Sequence, residues 1–80
     1  MKPNLTTKTA EALNTVANRY GWSVDLNGEL RNGSNYLAGQ IIEKKGRIRI
    51  YSNEVLRGSL SKPESLGKYL EQTYYATIPA

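Results

Sequence analysis

The run Arg47-Ile48-Arg49-Ile50-Tyr51 alternates cation and isoleucine residue by residue. A strict period of two suits a strand with one face in a core and the other in water, whereas a helix would scatter the same side chains around its circumference. The middle of the chain is therefore committed to a sheet covered on one side. Upstream, Tyr36 to Glu43 is a second β-rich run, joined to Arg47–Ser52 through Lys44-Lys45-Gly46. That connection reads as a three-residue hairpin loop, with the glycine in the left-handed position of a bulge. Ser52-Asn53-Glu54 then turns the chain into a third strand, Val55 to Leu60.

The covering layer comes from both ends of the chain. Between Lys8 and Tyr20, Leu13, Val16, Ala17 and Tyr20 fall at i, i+3, i+4 and i+7, one stripe of a helix that Thr6 or Thr7 can cap and that Gly21 follows directly. Near the other end, Ser61 and Glu64 have the spacing of a capping box, and Pro63 fits a first helical turn. Leu66, Tyr69, Leu70 and Thr73 or Tyr74 carry the helical period on to about Tyr75. Gly67 interrupts this helix, and a close approach of helix to sheet is the expected reason.

Trp22, Val24 and Leu26 alternate with Ser23 and Asp25 as a further strand, with Trp22 assigned to packing, and Asn27-Gly28 is a hairpin signal. A second Asn-Gly pair stands at Asn32-Gly33. The piece between them, Glu29-Leu30-Arg31, is either a brief return strand or part of a long connection. The expected fold is α+β, one small domain over residues 1–80. A helix leads into a three- or four-stranded antiparallel meander and then a second helix, with both helices on one face of the sheet. Residues 1–6 form a flexible N-terminus and 76–80 a short tail.

Eighty residues support one modest core, and without cysteine it must be held by packing alone. Histidine is absent too, which removes the usual general base, the commonest zinc ligand and the simplest pH switch. Asp25, Glu29, Glu43, Glu54, Glu64 and Glu71 are dispersed, and no glycine-rich phosphate loop is present. The expectation is a non-enzymatic chain with no cofactor and no metal. No apolar run suggests a signal peptide or a membrane span, so a cytoplasmic protein without a membrane partner is expected.

Between Lys44 and Lys62 six cations face one acid, a local net charge of +5 in a chain whose whole net charge is +4. If Leu37, Gly39, Ile41, Ile48, Ile50, Leu56 and Leu60 point to the helices, Tyr36, Ala38, Gln40, Ile42, Arg47, Arg49, Tyr51, Val55 and Arg57 point outward. Such a mixture can neutralise phosphates, stack on bases or pack against an acidic protein.

The order helix, three strands, helix is similar to the double-stranded-RNA-binding fold, and the meander followed by a helix looks like the small three-stranded DNA-binding domains of some recombinases. The Lys-Lys-x-Ala-Lys run of the RNA-binding family is absent, since Ser61-Lys62-Pro63-Glu64-Ser65 stands in its place. The resemblance implies a topology and carries no functional residue. From the residues themselves, the expected partner is nucleic acid, met by Lys44, Lys45, Arg47, Arg49 and Arg57 on phosphates and by Tyr36 and Tyr51 on sugar or base. The alternative is a protein-binding inhibitor or adapter, of the compact kind encoded by mobile elements, docked on an acidic partner.

Overall fold

A computed structural model describes residues 4–79 of the chain. Helix α1 (Thr7–Asn18) is followed by strands β1 (Ser23–Val24), β2 (Glu29–Arg31), β3 (Leu37–Lys44), β4 (Arg47–Ser52) and β5 (Val55–Leu60). A 3-10 turn, Pro63–Ser65, then leads into helix α2 (Leu66–Tyr74). The five strands form one antiparallel sheet in the order β1-β2-β3-β4-β5. The fold is thus the expected α+β arrangement with a longer meander. The undecided piece 29–31 is a strand, because Leu30 is fully buried opposite Gly39.

Both helices cover one face. The fully buried side chains Leu13, Leu30, Ile41, Ile50, Leu66 and Leu70 come from both helices and three strands, each worth roughly 1.5–3 kcal/mol of apolar burial. Trp22 packs at the margin of this core with its ring 5.0 Å from that of Tyr74. Leu26 departs from the expected alternation. Asp25 to Gly28 is a turn in which the Asp25 carbonyl accepts from the Gly28 N–H and the Asp25 carboxylate from the Glu29 N–H, which ends β1 at Val24.

Two bulges correct the expected strand parity. On β3, Leu30 pairs with Gly39 but Arg31 pairs with Leu37, leaving Ala38 as the extra residue. Ala38 is drawn toward the core, its carbonyl accepting from the Tyr74 hydroxyl at 3.2 Å, and Leu37 turns to the open face at 41% exposure. On β5, Ile50 pairs with Gly58 but Tyr51 with Leu56, so Arg57 is extra and Leu56 turns outward at 51% exposure. Gly58 faces the helices, where an added Cβ would lie 2.7 Å from the Tyr69 ring. Leu37 and Leu56 are therefore not core residues.

The β3–β4 connection is a two-residue turn and not the expected three-residue loop, because Lys44 is paired with Arg47. Lys45 and Gly46 both have positive φ, the type I′ pattern whose twist matches the flanking strands. Asn53 and Glu54 repeat that pattern between β4 and β5.

At the second helix the capping box does not form. Pro63 starts a 3-10 turn whose cap position is Lys62, and the α-helix begins only at Leu66, which leaves Ser61 too far upstream. Gly67 makes room for the other helix and not for the sheet, since a Cβ there would meet the Tyr20 hydroxyl at 3.0 Å. That hydroxyl donates to the Glu71 carboxylate at 2.6 Å, and the bond raises the Tyr20 pKa above its ordinary 10.0.

The expected loose N-terminal end falls outside the described residues for Met1, Lys2 and Pro3. Asn4 to Thr6 are held. The Asn4 carbonyl accepts from the Glu43 N–H, its side chain donates to the Asn27 carbonyl, and Leu5 is 2% exposed. Glu43 lies on the helix side of β3, opposite Ile48, and accepts from the Thr6 N–H at 3.1 Å and the Thr9 hydroxyl at 2.8 Å. It thus supplements the Thr6 cap of α1 and places negative charge at the positive end of the helix.

The Thr6 backbone bond, then the Thr9 and Thr6 side-chain bonds, hold the Glu43 pKa below 4.5 against the opposing effect of burial. A depressed carboxylate pKa adds stability that is complete above the unfolded value and lost as pH falls through the lower folded value. Glu43→Gln is accordingly expected to cost about 1–2 kcal/mol at pH 7. Urea denaturation should show the gap to the parent protein narrowing as the pH drops below about 4.5, and a gap that is constant with pH would contradict the assignment.

Tyr69 supplies a contrary case. Its hydroxyl is buried without a hydrogen-bond partner among the described residues, and burial first, then the neighbouring Tyr74, pushes its pKa up to about 12. Tyr69→Phe removes only that unsatisfied oxygen. It should leave stability unchanged or raise it by up to about 1 kcal/mol, read from the urea midpoint.

Candidate functional site

The face of the sheet turned away from the helices is built in cross-strand rows. The rows run Lys44–Arg47, Ile42–Arg49–Ser59 and Glu29–Gln40–Tyr51–Leu56. Rows on one strand lie about 7 Å apart, twice the rise per residue, so Arg47, Arg49 and Tyr51 form an evenly spaced line. This part of the expected site is brought together. The isoleucines between them are buried, and the arginines are exposed.

The remaining expected residues are divided. Lys45 lies at the hairpin tip, continuing the basic end of the line. Tyr36 lies at the opposite end, in the β2–β3 loop, where its N–H donates to the Asn32 side chain and its own side chain is 70% exposed. Arg57 leaves the line altogether. As the extra residue of its bulge it has no cross-strand partner, and its charge opposes the rise in the Tyr69 pKa.

The electrostatics of the open face are simple. Among the described residues the one ion pair is Arg31 with Glu29, at 2.9 Å, and Arg31 also donates to the Asn35 carbonyl. That pair neutralises the β2 side of the face. Lys44, Lys45, Arg47 and Arg49 have no carboxylate within ion-pair distance among the described residues. Positive charge is therefore concentrated at the β3–β4 hairpin end and free to meet an anion.

The other end of the face carries two hollows that no run of residues in the sequence marks as a site. A groove of about 410 Å³ opens beside Tyr51, lined also by Leu37, Gly39, Gln40, Ile42, Asn53 and Glu54. A second hollow of about 380 Å³ lies against the Trp22–Tyr74 pair and shares Leu37, Ala38, Ser52 and Asn53 with the first. The signal for the β3 bulge that both border was present in Gly39. An isolated glycine inside a strand pattern marks a bulge, and Gly39 adjoins the extra residue Ala38.

No group of three or more acidic residues able to hold a metal occurs among the described residues, and no helix there is long and apolar enough to cross a membrane. No protein-family model, curated protein or solved structure matches the chain.

Proposed function

We propose that the protein is a non-enzymatic module that binds nucleic acid through the uncovered face of its sheet. Lys44, Lys45, Arg47 and Arg49 take phosphates, and Tyr51 meets sugar or base. One observation carries the reading: the line Arg47, Arg49, Tyr51 stands on the face no helix covers, and its cations have no acidic partner among the described residues. Exposed guanidinium groups at fixed spacing on a rigid strand suit phosphate, and a neighbouring tyrosine suits a base.

The test is the salt dependence of oligonucleotide binding, followed by fluorescence anisotropy. Each neutralised phosphate lowers log K by about 0.7–0.9 per unit of log salt, so four contacts predict a slope of about −2.8 to −3.6. A slope near zero, or no binding at low salt, would overturn the proposal.

A second reading, an inhibitor or adapter for an acidic protein partner, draws on Leu37 and Leu56, which expose aliphatic surface on the same face. Apolar contact flanked by charge is the usual composition of a protein interface. It predicts a stoichiometric protein complex broken by Leu56→Asp, with no retention of oligonucleotides at low salt.

A further inference from the structure

We propose that the groove beside Tyr51 receives one unpaired base of a single strand, selected for an exocyclic amine, while the adjoining phosphates lie on Arg49 and Arg47. This rests on the nucleic-acid reading above and adds which part of the ligand enters and which bases are preferred.

Charge orders the ligand. Among the described residues no cation lines the groove, whereas Glu54 does, so the groove disfavours a phosphate. Arg49 is directly across from Ile42 and two residues from Tyr51 on the same strand, and both of those residues line the groove. A phosphate held by Arg49 therefore leaves its base next to the Tyr51 ring, with the Ile42 side chain as the adjoining apolar surface. Base–aromatic stacking of this kind needs a base whose face is free, and a duplex keeps its bases stacked and paired.

The polar lining chooses the edge. Gln40 and Asn53 can each donate and accept, but an ionised Glu54 only accepts. A carboxylate in that position favours a base that carries an amino group, as cytosine, adenine and guanine do, over thymine or uracil.

Backbone conformation adds an independent observation. Asn53 and Glu54 both line the groove and both have positive φ, at 51° and 66°. Glycine is the favoured second residue of such a turn, so a glutamate there keeps its carboxylate at the groove against local preference. Left-handed backbone at a non-glycine residue is the kind of strain found at binding sites.

The experiment uses the intact protein with labelled cytosine and thymine tracts, a cytosine tract bearing abasic sites, and a duplex. Single cytosine strands should bind about tenfold tighter than duplex or abasic strands, and several-fold tighter than thymine. Tyr51→Ala should weaken binding to cytosine strands about tenfold while leaving the salt slope unchanged, and Tyr51→Phe, which keeps the ring, should bind as the parent does. Glu54→Gln should shrink the preference for cytosine over thymine. Equal binding of single strand and duplex, indifference to abasic sites, or a cytosine preference untouched by Glu54→Gln would overturn this inference. If the salt slope of about −2.8 to −3.6 persists in that case, the underlying reading stands. Absence of any binding at low salt overturns both.

Discussion

Gly28→Ala is expected to cost about 3 kcal/mol or more, lowering the melting temperature by roughly 12–24 °C for a domain of this size. Two physical causes add. Gly28 has a φ of +79°, where an L side chain crowds its own carbonyl, and an added Cβ would sit 1.9 Å from the Ile41 backbone oxygen. Neither neighbour can yield cheaply. Gly28 is itself buried, and its carbonyl accepts from the Ile41 N–H at 2.6 Å where β2 begins to pair with β3. Gly46 is the control. It has nearly the same φ, +76°, but nothing among the described residues within 4 Å of an added Cβ, so Gly46→Ala should cost only about 1 kcal/mol. Urea denaturation followed through the half-buried Trp22 measures both. Equal losses at the two sites would mean that the contact with Ile41 is relieved by a movement of the turn.

The largest functional effect should follow from Arg47→Glu with Arg49→Glu. Removing two phosphate contacts and placing two acids in the same line should weaken oligonucleotide binding at least about a hundredfold at low salt. Stability should change by less than about 0.5 kcal/mol, because both side chains are exposed and lack an acidic partner among the described residues. The comparison is Lys8→Glu with Lys68→Glu, which makes the same change in net charge at exposed positions on the two helices. If that control weakens binding as much, attraction is to the whole molecule and the sheet face has no special part.

The core of this fold could be read from periodicity. Leu13, Val16 and Ala17 on α1, Ile48 and Ile50 on β4, and Leu66 and Leu70 on α2 are buried where their spacing places them. Burial is collective, so a one-residue slip would expose a whole set and the pattern is strongly specified. The errors occur where the period breaks. Leu37 and Leu56 look like core residues if Ala38 and Arg57 are counted in the alternation, and each bulge removes one residue from that count. Charge was legible in the same uneven way. Arg47 and Arg49 lie on a regular stretch and face outward, whereas Arg57, equally basic, falls at a bulge and drops out of the paired rows.

Glu43 shows a second limit. Its parity on β3 points it to the helix side, but its partners, Thr6 and Thr9, lie more than thirty residues away in sequence. No local pattern joins a strand carboxylate to the first turn of a distant helix. The groove beside Tyr51 is harder still to foresee, since it depends on a bulge in β3 and a left-handed turn after β4 meeting at one end of the sheet.

Because strand order along the sheet repeats strand order along the chain, each ladder closes between immediate neighbours through a short connection. Such pairings spend little loop entropy, and the antiparallel sheet can grow outward from the β3–β4 hairpin without waiting for a remote segment. The Tyr20–Glu71 bond, spanning 51 residues, can close only once both helices have docked. The expected consequence is fast pairing within the sheet, with the contact between the two ends waiting on the helices.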